Sequence, residues 1–150
     1  MDDHEIKILD LNRYRGRLKS FITKSIQRFT DVESRPKAIG MYSHPGYGWV
    51  STKYHADSKP ELPNLNCPDF EFTEFDIIEF QAWEECYWSE DRKLIDINNR
   101  MIVITGEDGD EKFKTPFYNL LVEVMKEISK YGDATYFVQM LDSDLSGEVR

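Results

Sequence analysis

AIGMYSHPGYGWVSTKYHAD, residues 38–57, is the stretch whose reading decides the fold. Two β-prone runs, Pro36 to Ser43 and Trp49 to His55, flank the segment HPGYG. Proline fixes one backbone angle and glycine reaches conformations other residues avoid, so Pro-Gly followed by a second Gly is suited to a hairpin connection. A loop that cradles phosphate would open into a helix whose N-terminus faces the anion, whereas here a strand follows. Alternation puts Trp49, Ser51, Lys53 and His55 on one face of the second strand and Val50, Thr52 and Tyr54 on the other. Tyr47 is displayed at the turn.

Upstream, Leu11, Tyr14, Leu18, Phe21, Ile22, Ile26 and Phe29 fall on one stripe of a helix spanning Asp10 to Phe29. Arg13, Arg17, Lys24 and Arg28 form a neighbouring stripe, and Arg15 lies at the edge of the apolar arc, where its stem can snorkel. Ser34, Arg35 and Pro36 end the helix. Downstream, DSKPELPNLNCP, residues 57–68, has three prolines and no periodicity, which reads as a surface loop. Residues 69–91 hold nine carboxylates, seven aromatics and no Lys or Arg, with irregular or short-strand character after Phe72.

Leu94 to Ile97 and Arg100 to Thr105 read as a strand pair about Asn98-Asn99. GEDGDEKF reads as a solvent loop. Thr115-Pro116 supplies an N-cap and first helical residue for a second helix carrying Phe117, Leu120, Leu121, Val124 and Ile128, ending near Gly132. Ala134 to Leu141 is a last strand, followed by a polar tail. Hairpins without strand-helix alternation predict a single α+β domain over residues 1–150. Its sheet should be mainly antiparallel, with the N-terminal and late helices packed on one face.

The chain carries formal net charge −9, and the acid is unevenly placed. Residues 1–37 hold nine basic and six acidic residues; the other 113 hold ten and twenty-two. This balance opposes binding to nucleic acid or to an anionic membrane and favours a basic partner. The helical stripe of four cations is the one foothold for phosphate, offset by the acidic remainder. Met1 to Leu11 lacks the apolar core of a signal peptide, and Met101 to Ile104 is too short to span a bilayer, so a cytoplasmic protein is expected.

No cofactor and no catalytic role are expected. His4, His44 and His55 are scattered; even if His44 and His55 face each other across the hairpin, a metal site lacks its third ligand. Cys67 and Cys86 have no metal-ligand spacing and read as free thiols. DSDLSG, residues 142–147, imitates the start of a calcium loop but lacks its closing bidentate carboxylate and flanking helices. Nucleophilic catalysis has no G-x-S-x-G elbow, and the carboxylates around Cys86 oppose a thiolate.

The acidic aromatic segment remains. Phe70, Phe72, Phe75, Phe80 and Trp83 can fill a core while carboxylates face water. Trp83, Tyr87 and Trp88 beside Glu79, Glu84, Glu85, Glu90 and Asp91, with Tyr47, also make a candidate partner-binding surface: rings supply buried contact and negative charge speeds encounter with a cation. Two other readings are compatible with the residues, a small enzyme using His44 and His55 and a self-associating structural module.

In their order along the chain, the N-terminal amphipathic helix, AIGMYSHPGYGWVSTKYHAD, FEFTEFDIIEFQAWEECYW, TPFYNLLVEVMKEISKYG and YFVQMLDSD resemble bacterial immunity proteins of polymorphic-toxin and contact-dependent growth inhibition systems. The resemblance implies a non-enzymatic inhibitor that binds one cognate toxin, often a nuclease with a cationic substrate cleft, and blocks it by occupying or covering that cleft. It transfers no binding position; the residues above rest on charge and side-chain type.

Overall fold

The computed structural model describes residues 7–44, 48–56, 75–80, 91–105, 109–129, 134–141 and 144–149. Their order is β1 (Lys7–Asp10), a 3₁₀ turn (Leu11–Tyr14), α1 (Arg15–Val32), β2 (Pro36–His44), β3 (Trp49–Ala56), β4 (Ile77–Glu79), β5 (Asp91–Ile95), β6 (Met101–Thr105), α2 (Gly109–Ser129), β7 (Thr135–Met140) and β8 (Ser146–Val149). The fold is α+β, with a five-stranded sheet ordered β4-β3-β2-β7-β8 and a three-stranded sheet ordered β1-β5-β6. Most pairs are antiparallel; β2–β7 and β1–β5 are parallel.

The first helix begins with one tight turn. Asp10 caps it by accepting the Asn12 N–H at 3.0 Å, and the α-helix proper starts at Arg15. Leu18, Ile22, Ser25 and Phe29 are its buried residues, the inner stripe that the periodicity required. Glu33 donates its N–H to the Phe29 carbonyl at 2.9 Å as the helix ends. Arg15 is half-buried and, with Lys19, reaches Glu127 of α2, at 3.3 and 3.5 Å. These pairs tie the two helices together at the surface.

The hairpin forms as its sequence requires, with Ile39 opposite Tyr54, Met41 opposite Thr52 and His44 opposite Trp49. On the other side of β2, Ile39 and Met41 meet Tyr136 and Val138 of β7. These residues share the helix-facing side of the sheet with Val50. They join Leu18, Ile22 and Phe29 of α1 and Phe113, Phe117, Leu120, Leu121 and Val124 of α2 in one core. Leu9, Leu94 and Ile104 of the small sheet extend the same cluster, so the two sheets share a core around α2.

Two expectations are corrected, at the start of the late helix and at the polar tail, and one strand is present that the sequence reading did not name. The late helix starts at Gly109 and takes in the end of the expected solvent loop, leaving Pro116 inside the helix. An interior proline costs about 3 kcal/mol. Phe113, however, is 1 % exposed and packs its ring 5.5 Å from that of Phe117; burying one such ring contributes about 1.5–3 kcal/mol. The segment before Leu11 contributes β1, paired with β5 in parallel. The polar tail contributes β8, an edge strand whose Val149 is buried opposite Tyr136. Both strands are four residues long, too short for alternation to stand out, and each is fixed by its neighbour.

The turn between β5 and β6 uses Asn99 with φ 61°. Asparagine enters that left-handed region more readily than most residues. Asp96, buried beneath the turn, accepts the N–H groups of Asn98 and Arg100, each at 2.9 Å, and the Arg100 Nε at 3.1 Å. Burial alone would raise its pKa; these donors outweigh burial and hold the carboxyl below its usual value. No helix of the described residues is long and apolar enough to cross a membrane.

Candidate functional site

The acidic aromatic segment enters the described structure at Phe75. Its first residues are held by α1. Arg28 lies over the Phe75 ring, 4.1 Å from its centroid, donates to the Phe75 carbonyl at 2.9 Å and pairs with the Asp76 carboxylate. Arg17 lies 4.8 Å from the Phe80 ring. Two of the four cations in the basic stripe therefore hold residues 75–80 against the domain; Arg13 and Lys24 face solvent.

Backbone bonds complete the clasp. Thr52 and residues 75–76 exchange main-chain hydrogen bonds of 2.9 and 3.0 Å, and the Phe80 N–H donates to the Gly48 carbonyl at 2.7 Å. Gly48 has φ 65°, a conformation that favours glycine and follows the hairpin turn. Beneath the clasp, Tyr54 OH lies 2.6 Å from Ser25 Oγ, which donates to Thr52 Oγ1 at 3.1 Å; Thr52 Oγ1 accepts the Asp76 N–H at 2.9 Å. The Tyr54 ring stacks on Phe29, with centroids 4.3 Å apart. Burial pushes the Tyr54 phenol far above its ordinary pKa, against the opposing pull of the Ser25 and Thr52 hydroxyls.

The clasp fixes β4 at the edge of the large sheet, and there register builds the site. Glu79 stands opposite Trp49, and Ile77 opposite Ser51. Both partners lie on the side of β3 away from the helices, with Lys53 and His55. Tyr42, opposite Ser51 on β2, places its ring 6.2 Å from Trp49 and 5.0 Å from Lys53 Nζ. The outer face is thus graded. Lys53 and His55 are buried at one end; at the hairpin end Tyr42 and Trp49 are half-buried, and Ile77 and Glu79 are exposed. An exposed carboxylate beside half-buried rings can meet a cation and then bury apolar area around it.

Of the residues expected to bind a partner, Glu79 occupies this exposed edge. Asp91 opens β5, the central strand of the other sheet, opposite Thr105. Trp83, Glu84, Glu85, Tyr87, Trp88, Glu90 and Tyr47 lie outside the described residues, as do Cys67 and Cys86. Trp49, Tyr42 and Ile77 belong to the site but were not selected from sequence as a group. Alternation assigned Trp49 a face; only strand pairing brings β4 beside it.

His44 and His55 share the outer face, yet they do not converge. His44 is opposite Trp49 and His55 opposite Ala38, which separates them by roughly 20 Å along the ladder. No three His, Cys, Asp or Glu side chains gather as metal ligands among the described residues.

Fold and site together define an α+β domain with an acidic, aromatic sheet face at one edge. Compared with protein-family models, curated proteins and solved structures, the chain has no match, so its function is read from its own side chains.

Proposed function

We propose that the protein is a non-enzymatic inhibitor that binds a basic protein, a cognate toxin with a cationic cleft such as a nuclease, through an acidic and aromatic surface. The observation that carries this reading is the pairing of exposed Glu79 with Trp49, beside Tyr42 and the exposed Ile77, in a chain of net charge −9. Acidic groups imitate the charge of the nucleic acid such a toxin engages, and the rings add the selectivity that charge lacks. The resemblance to immunity proteins of contact-dependent inhibition systems supports the same reading, and Trp83, Glu84, Glu85, Tyr87, Trp88, Glu90 and Asp91 would extend the surface.

The test is to titrate the protein against a cationic nuclease toxin domain, taken from any large secreted protein encoded beside its gene, following both nuclease activity and binding kinetics. Stoichiometric inhibition is expected, with an association rate that falls as salt rises. Trp49→Ala should act mainly on dissociation, while Glu79→Lys combined with Asp91→Lys should slow association. A molar excess that leaves the toxin fully active, or charge reversal without effect on association, would refute the reading.

One observation favours self-association as a second reading. Ile8, Met101 and Val103 are 58 %, 55 % and 54 % exposed, and Ile8 and Val103 flank Lys93 on the outer face of the small sheet. Exposed aliphatic area of this kind marks contact surfaces. Light scattering separates the two: a dimer dissolved by Val103→Asp supports the module, and a monomer removes it.

A further inference from the structure

Tyr136 is a buried polar residue of a different kind from Tyr54. It stands on β7 facing the helices, between Ile39 of β2 and Val149 of β8, and is 5 % exposed. Tyr54 belongs to a chain of hydroxyls; the Tyr136 hydroxyl finds no hydrogen-bond partner among the described residues. Burial alone raises its pKa. A buried phenol ordinarily finds a partner for its O–H.

The ring borders a cavity of about 480 Å³ between α1, the end of α2 and the start of β7, open to solvent on one side. That volume lies within the range of small-molecule sites, about 300–1,000 Å³. Ile26 and Ile128 supply apolar wall, while Lys19, Thr23 and Gln27 line it from successive turns of α1. Gln27 donates to Asp31 at 3.0 Å. Charge at the Lys19 end is uneven: Lys19 and Arg15 share the one carboxylate of Glu127, which leaves a cation in excess there.

We propose that this cavity binds a small carboxylic acid with an apolar body, whose carboxylate accepts the Tyr136 O–H and is neutralised by Lys19 while the body lies against Ile26 and Ile128. An apolar wall, one interior donor without an acceptor and two cations sharing one carboxylate at the Lys19 end match an amphipathic monoanion bound at that end, away from the Asp31 carboxylate that Gln27 holds. A neutral alcohol leaves the charge unanswered, and an amine opposes it. This site is separate from the outer sheet face and does not depend on the inhibitor reading.

Octanoate, octanol and octylamine serve as probes of equal length, followed by amide chemical shifts and by the thermal midpoint of the full chain. Octanoate is expected to shift resonances of Thr23, Ile128 and Tyr136 and to raise the midpoint, with affinity at least tenfold above that of octylamine. Tyr136→Phe, which keeps the ring, should weaken octanoate about tenfold and leave octanol unchanged. Ile128→Trp, which fills the cavity, should abolish binding while preserving the fold. The proposal is overturned if millimolar octanoate leaves those resonances in place, if octanoate and octylamine bind equally, or if Tyr136→Phe binds octanoate as the parent does.

Discussion

Replacing Tyr54 by Phe removes one hydroxyl and keeps the ring stacked on Phe29. The Tyr54 hydroxyl is fully buried and lies 2.6 Å from Ser25 Oγ, so it donates into the chain that continues to Thr52. A buried hydrogen bond between neutral groups contributes about 1 kcal/mol net, the cost expected for Tyr54→Phe. Ser25→Ala leaves a buried phenol without that acceptor and should cost about 2–3 kcal/mol, the larger figure reflecting an unmet polar group. Removing both groups together should cost less than the sum, by roughly 1 kcal/mol, because the second removal finds no bond left to break. For a chain of this length each kcal/mol moves the thermal midpoint by about 2–4 °C. Urea denaturation of the two single variants and the double variant, followed by circular dichroism, measures all three values. Strict additivity, or a Ser25→Ala cost no greater than that of Tyr54→Phe, would refute the network. A pH series adds a second reading. The folded-state pKa of Tyr54 is raised, so the stability held by the neutral phenol is intact below the unfolded value near 10 and is lost as pH climbs toward the folded one. Tyr54→Phe should therefore flatten the alkaline decline.

Asp96→Ala should cost about 1–3 kcal/mol by stripping the acceptor from the Asn98 and Arg100 N–H groups, read by urea denaturation. Its folded-state pKa is depressed, so the carboxylate's contribution is present above the unfolded value near 3.8 and is lost as pH falls through the folded one; Asp96→Asn should blunt acid unfolding. Arg28→Ala should cost only about 1 kcal/mol overall, since its guanidinium is half exposed, but should speed proteolytic cleavage near Phe75 and Asp76. Pro116→Ala restores a donor for the Lys112 carbonyl inside α2 and should raise the midpoint, whereas Phe113→Ala should lower stability by about 3–5 kcal/mol.

Local rules carried the hairpin, both helices and the β5–β6 pair, because each depends on residues within a few positions of one another. The two β-prone runs set the pairing of β2 with β3, and Leu18, Ile22 and Phe29 set the buried stripe of α1. The same rules misplaced the start of α2: Thr115-Pro116 is a strong local start signal, and the gain that overrides it comes from burying Phe113 in a core that includes strands far along the chain. The candidate site was legible as a composition, many rings and carboxylates without cations, and Glu79 was selected from it. Which rings stand beside Glu79 was not legible.

What the sequence alone determined is the class of structure, α+β with hairpins, and the chain's own net charge of −9, since periodicity and charge are read from residue types without their positions in space. Tertiary structure decided everything that depends on distance. It set His44 and His55 at opposite ends of one ladder, spent Arg17 and Arg28 on holding residues 75–80, brought Trp49 against Glu79, and placed Tyr136 in the wall of a cavity. Contacts between residues remote in sequence are selected by the packing of whole sheets and helices, and no local pattern records them.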